Sequence, residues 1–205
     1  MFPQTIGPAT WAEIQRTEQF VRGRTDARAI PRQSAEFLHT LILAAGCRSG
    51  IEVGTGYGYS ALWIGSALAR QAGALLSIER DELKVARARE TFARAELDQT
   101  IRVLHGRATD VLKELSGPFD FVFLDADKAS TLACFETLWP RLGHNAVIIT
   151  DNIVSHADEL GEFVAHLRRH PNLCSMLVDI GSGLELSVKI QPARTASIDG
   201  ADWVI

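Results

Sequence analysis

The sequence predicts an α/β fold, a doubly wound and mostly parallel sheet with helices on both faces. Three observations carry the prediction. From Ser49 onward, short apolar runs alternate with stretches of helical period. Those runs are continuously apolar, as strands covered on both faces must be. The first run also passes straight into a glycine-rich loop and a helix, the arrangement that opens a ligand site at the carboxyl edge of such a sheet.

Two helices are expected ahead of the sheet. Trp11, Ile14 and Val21 mark the first, between Pro8 and Gly23; Phe37, Leu38, Leu41, Ile42 and Ala45 mark the second, ending at Gly46. The link between them carries Arg22, Arg24, Arg28 and Arg32 and reads as a solvated connector. Strands are expected at 50–53, 75–79, 101–104, 119–124 and 146–150, with helices at 58–70, 81–96, 109–115, 129–139 and 157–168 between and after them. The end differs: runs at 174–180 and 184–190 are joined by Gly181-Ser182-Gly183, a hairpin link, so one late strand runs antiparallel to the rest. Residues 191–205 form a weakly patterned tail.

Composition narrows the class. The chain has 205 residues, 46% of them apolar, with 21 Lys and Arg against 25 Asp and Glu, a net charge of −4. That suits one globular domain and disfavours disorder. The mild acidity weighs against a dedicated duplex-binding protein. Cys47, Cys134 and Cys174 are odd in number and lack metal-ligand spacing, so neither a disulfide framework nor a thiolate zinc site is expected, and a reducing cytoplasm fits. Neither a signal peptide nor a membrane-spanning run is expected.

The glycine loop reads Glu52-Val53-Gly54-Thr55-Gly56-Tyr57-Gly58-Tyr59-Ser60. Gly54 and Gly56 permit positive φ and close backbone approach, and the helix start behind them favours an anion. Tyr59 stands where the third glycine of a dinucleotide loop would be. Glu79 ends the second strand, 25 residues past Gly54, where an acid can hold ribose hydroxyls. Together these point to a nucleoside cofactor and leave NAD and S-adenosylmethionine both open.

Carboxylates at two further strand ends separate the two. Leu124 runs into Asp125-Ala126-Asp127-Lys128, and Thr150 runs into Asp151-Asn152. Neighbouring parallel strands would bring Asp125, Asp151 and Asn152 together, two carboxylates and one amide oxygen suited to Mg²⁺, with Mn²⁺ or Ca²⁺ as substitutes. Asp127 reads instead as a helix cap or a solvated acid.

The segments IEVGTGYGYSALWIG, SIERDE, FDFVFLDADKAS, VIITDNIV and GSGLELSVK, in this order across about residues 30–190, resemble the magnesium-dependent class I O-methyltransferases, the group of catechol and caffeoyl-coenzyme A O-methyltransferases. The resemblance implies a Rossmann-like, seven-stranded sheet with a reversed last strand, in a single domain over 1–205. Within it, helices in 1–47 would cover cofactor and substrate, 48–190 would form the core, and 191–205 would be a tail.

The resemblance also implies roles. Ile30, Glu52, Gly54, Gly56 and Ser60 match positions around S-adenosylmethionine; Glu79, with Arg80 beside it, matches the ribose-binding acid, and Ala108 and Thr109 fall where the family lines the adenine. Asp125, Asp151 and Asn152 match the metal ligands, Asp125 also lying against the cofactor. Lys128 matches the general base, and Lys128, Asn152 and Glu185 match positions facing the substrate. Glu185 corresponds to the acid that holds a catechol's second hydroxyl, whereas Ala126 replaces the bulky aromatic of the mammalian-type catechol enzyme. The expected acceptor is a small aromatic diol, and the expected assembly is a homodimer. Methylation of a hydroxyuridine in tRNA is the alternative, resting on the arginine cluster alone. An NAD-dependent oxidoreductase would leave Asp151-Asn152 unexplained, and a catalytically silent binding module would leave the whole ligand set unexplained.

Overall fold

The computed structural model describes residues 4–125 and 127–191. Seven strands form one sheet: β1 (Ser49–Val53), β2 (Ala74–Glu79), β3 (Ile101–His105), β4 (Phe119–Leu124), β5 (Leu142–Thr150), β6 (Leu173–Val178) and β7 (Leu184–Lys189). Their order is β3-β2-β1-β4-β5-β7-β6. The four pairings from β3 to β5 are parallel, and β7 runs antiparallel to both β5 and β6. The reversed strand sits where the glycine-linked pair of extended runs requires it.

Helices α1 (Pro8–Val21), α2 (Arg32–Ala45), α3 (Tyr59–Arg70) and α4 (Glu82–Arg94) pack on one face, where Leu38, Ile42, Trp63, Phe92, Phe121 and Ile149 share a core. On the other face α5 (Ala108–Glu114), α6 (Thr131–Leu138) and α7 (Ala157–Arg169) bury Leu112, Phe135, Leu160 and Phe163 against Ile51, Val122 and Ile148. Burying both faces explains the uninterrupted apolar strands. Local signals set the ends: Gly46 closes α2 at φ 68°, and the Asp81 side chain accepts from Leu83 N and Lys84 N to start α4.

Three details depart from the expected pattern. The buried side of α1 carries Thr10, Glu13 and Thr17 beside Ile14, while Trp11 and Val21 are half-buried. Two of these polar residues have partners: Thr10 donates to Ala95 O, and Glu13 pairs with Arg16 and Arg94. β5 begins at Leu142, not at 146, because Leu142 pairs with Phe119 and a register shift absorbs His144 and Asn145, the latter at φ 58°. The helix expected at 129–139 is shorter, with 3₁₀ turns at Lys128–Ser130 and Trp139–Arg141; Pro140 cannot extend it.

Among the described residues, no helix is long and apolar enough to cross a membrane, and the three cysteines are free. The tail, apart from Gln191, lies outside the described residues.

Candidate active site

The sheet order reverses between β1 and β4, and the loops after both strands meet there. Gly54 N and Thr55 N both donate to Ile78 O, at 3.0 and 3.1 Å, folding the glycine loop over the end of β2. Two of its glycines serve different ends. Gly56 has φ 54°, and nothing lies within 4 Å of where its Cβ would be, so it leaves open space beside the backbone. Gly58 has φ 89°, and a Cβ there would lie 2.8 Å from the Phe92 ring, so it lets α3 close on α4.

An open cleft lies between this loop and the segment 27–30. Ile30, Gly54, Gly56, Ser60 and Asp125, all expected around a cofactor, line it together with Tyr57 and Tyr59. Glu52 lies beneath, fully buried, accepting from Ser60 Oγ at 2.5 Å and from Ser77 Oγ. Burial pushes its carboxyl up to about 7 against the opposing pull of those two hydroxyls. Its reach to the cleft is therefore indirect, through Ser60. Glu79 accepts from Gly56 N at 2.8 Å through one oxygen and from Arg80 N and Asp81 N, at 2.8 and 2.9 Å, through the other. It ties the glycine loop to the start of α4. Gly106 N donates to Glu79 O, which brings the start of α5, with half-buried Ala108 and Thr109, to the same edge.

The arginine-rich link is fastened over this cleft. Tyr57 Oη donates to Asp26 at 2.7 Å, Arg24 pairs with Asp26 at 3.0 Å, and Lys84 donates to Asp26 O at 2.8 Å. The neighbouring Arg24 guanidinium and Tyr57 hydroxyl hold the Asp26 carboxyl down at about 2. Arg32 pairs with Glu18 and Glu36. Two of the four expected cations are thus neutralised within the chain.

The acidic strand ends converge. Asp125 N donates to Val53 O and Asp151 N to Leu124 O, so both acids leave the sheet at one level. The Lys128 ammonium lies 3.4 Å from Asp125 Oδ1 and donates a short bond to Asn152 Oδ1, which places those two oxygens within about 6 Å of each other. Asn152 Nδ2 donates to Ser182 Oγ at 3.1 Å, and Ser182 Oγ donates to Asp151 Oδ1 at 2.6 Å. Burial, reinforced by the Asp151 charge, pushes the Asp125 carboxyl up to about 8 despite the Lys128 ammonium. The donor chemistry suits a hard dication: two carboxylates and an amide oxygen, with a lysine ammonium already held between two of those oxygens. Among the described residues, no three or more His, Cys, Asp and Glu side chains are grouped to hold a metal, so any ion here depends on the amide.

Glu185 does not join this cluster, contrary to the substrate-facing position expected for it. It pairs in register with Thr150 on β7 and is fully buried, with both oxygens accepting from Arg168 of α7 at 2.7 Å. The alternation of β7 turns Glu185 toward the α7 layer, while Leu184 joins the opposite core. Ser77 and Ser182 enter the site without having been singled out. Ser77 is one of a pair of hydroxyls on a buried acid, and Ser182 read only as part of a hairpin link. A polar residue between two glycines at the ligand edge was the available signal.

The sequence pattern of the family described as a methyltransferase domain matches residues 51–153. A catechol O-methyltransferase of Niastella koreensis is 28% identical over 155 residues, 74% of this chain and 70% of that protein. A catechol O-methyltransferase of Mycobacterium tuberculosis is 33% identical over 144 residues, 67% of this chain and 65% of that protein, so the match spans somewhat less than two thirds of that relative. The O-methyltransferase of Bacillus cereus, solved in complex with SAH, superposes with a TM-score of 0.77 at 26% identity, covering 89% of this chain and 91% of that one.

Proposed function

This chain belongs to the class I, S-adenosylmethionine-dependent O-methyltransferases of the catechol and caffeoyl-coenzyme A group, and on that premise we propose that it methylates one hydroxyl of a small vicinal dihydroxy aromatic, held beside a divalent cation. The observation that carries this reading is the double position of Asp125. It lines the cleft and also belongs to the cluster with Lys128, Asp151 and Asn152, so donor and acceptor would meet across one side chain.

The methyl donor would occupy the cleft. Gly56 leaves room for it, Ser60 is held in place by Glu52, and Glu79 stands one hydrogen bond behind the loop to receive ribose hydroxyls. Arg80, Ala108 and Thr109 lie along the same edge as the nucleoside end. Residues 8–45, fastened by the Tyr57–Asp26 contact, would form the cover. Asp125, Asp151 and Asn152 would hold the cation, Mg²⁺ with Mn²⁺ or Ca²⁺ as substitutes. A divalent ion supplies positive charge that makes a phenol, ordinarily of pKa ~10, far more acidic.

The chain's own residues do the rest. Lys128 Nζ, on the 3₁₀ turn just past β4, faces the acceptor; once its ammonium has given up a proton to solvent, the neutral amine takes the acceptor's hydroxyl proton. The acceptor oxygen forms its bond to the methyl carbon as the carbon–sulfur bond breaks, and the electron pair stays on sulfur. The rigid glycine loop and the strand-end acids contribute by fixing the two reactants in line. The aromatic diol is favoured over tRNA because Arg24 and Arg32 are already paired with carboxylates.

An acceptor panel tests the reading: catechol, caffeate, caffeoyl-coenzyme A, flavonoid diols and bulk tRNA, each with methyl-labelled cofactor and Mg²⁺. Label is expected in the small diols. Label in tRNA alone would overturn the assignment.

A further inference from the structure

Ser182 touches two of the three side chains proposed to hold the cation and has no part in the reaction as derived above. We infer that it is the positioning residue of that site, locking the Asn152 amide with its oxygen facing Lys128 and Asp125. The inference rests on the reading of Asp125, Asp151 and Asn152 as cation ligands.

The argument is one of donors and acceptors. An ammonium carries only donors, so the Asn152 atom facing Lys128 must be the oxygen. Ser182 has a single hydroxyl proton, and Oγ donates it in the hydrogen bond to Asp151 Oδ1. Its lone pairs are then free to accept from Asn152 Nδ2, which completes a directed chain from Lys128 through Asn152 and Ser182 to Asp151. If the amide turned over, its nitrogen would face the ammonium and its oxygen would face a hydroxyl whose proton is already used. Without the Ser182 hydroxyl, nothing among the described residues penalises that turn on the nitrogen side, and Asp151 loses a partner.

The backbone makes the arrangement rigid. Val154 N and Ser155 N both donate to Ser182 O, at 3.1 and 3.2 Å, and Ile153 N donates to Gly183 O at 3.1 Å. The flanking glycines leave no room for side chains. A Cβ on Gly181 would lie 2.5 Å from Ser34 Oγ, and one on Gly183 would lie 2.3 Å from Val154 Cγ2. The hairpin tip is therefore pressed between the start of α2 and the loop after β5, and Ser182 is its one side chain. Asn152, at φ 67°, sits in the left-handed region that asparagine tolerates better than most residues. The hairpin tip and the Asp151-Asn152 turn form one unit.

Mn²⁺ binding, followed by electron paramagnetic resonance on protein carrying S-adenosylhomocysteine and no acceptor, tests this in the parent, Ser182→Ala and Ser182→Thr. The alanine variant should bind Mn²⁺ roughly 10- to 100-fold more weakly, the usual effect of removing a partner behind a metal ligand. Threonine, which keeps the hydroxyl, should restore binding near the parent's. Melting without cation and affinity for S-adenosylhomocysteine should stay unchanged in both. Parent-like Mn²⁺ affinity in the alanine variant would overturn the inference, as would equal loss in both variants, which would indicate packing rather than the hydroxyl. A parent that binds no Mn²⁺ would overturn the cation reading, and this inference with it. Should the alanine variant fail to fold, Ser182→Cys, of similar size and with a weak donor, takes its place with the same expectation.

Discussion

Lys128 and Glu52 illustrate two different duties at the residue scale. Lys128 sits at the strand-end cluster, and its hydrogen bonds go to Asp125 and Asn152 rather than to the glycine loop proposed to hold the donor. Lys128→Ala should therefore lower kcat by about 10²- to 10⁴-fold, the usual share of a positioned base, with little change in cofactor affinity by titration calorimetry. Parent-like turnover would remove Lys128 from proton transfer. Glu52 is structural support whose cost depends on pH. Its carboxyl titrates at about 7 when folded, against 4.5 as its ordinary value. The folded chain thus binds this proton more tightly than the unfolded one. The stabilising contribution is complete below about pH 4.5 and is lost as pH rises through about 7. Glu52→Gln, which stays neutral throughout, should flatten the fall in Tm across that window. An unchanged slope would show that Glu52 does not carry the proton.

At the scale of elements, the glycine loop separates folding from ligand binding within three residues. Gly58→Ala places a methyl against the Phe92 ring at positive φ, so it should lower Tm appreciably, by about 1–3 kcal/mol in stability. Gly56→Ala meets only the backbone cost of a left-handed alanine, about 1–2 kcal/mol, yet puts a methyl at the cleft and should weaken cofactor binding more than it weakens the fold. A Gly56 variant with undiminished cofactor affinity would take that position out of the binding surface. Tyr57→Phe keeps the ring against Phe20 and removes the hydroxyl bonded to Asp26. It should raise the cofactor Kd a few-fold through a looser 22–30 cover while kcat holds; an unchanged Kd would mean that this contact does not hold the cover. Elements were also what the sequence expressed most directly. Continuous apolar runs placed β1, β4 and the core of β5, and helical spacing placed α2, α3 and α7, because each pattern is local to its own segment. The start of β5 and the polar inner side of α1 were hidden because distant partners, Phe119 and Arg94, decide them.

At the scale of the whole molecule, the site exists because the sheet topology gathers chain segments that lie far apart. Asp125, Asp151 and Asn152 were legible as strand-end residues on neighbouring strands. Ser182 was not, since only the pairing of Thr150 with Glu185 brings the hairpin tip beside Asp151. The same register turns Glu185 toward Arg168, an orientation that a one-dimensional match cannot convey. The upward push on the Asp125 carboxyl, from burial and from the Asp151 charge beside it, also shows that the ligand edge resists carrying two negative charges, a penalty that a dication would relieve. A crystal grown with Mn²⁺ and S-adenosylhomocysteine tests this claim most directly through the anomalous signal of the metal. We expect one strong peak about 2.1–2.2 Å from oxygens of Asp125, Asp151 and Asn152, next to the occupied cleft. A fully occupied cleft with no peak among those three side chains would contradict it.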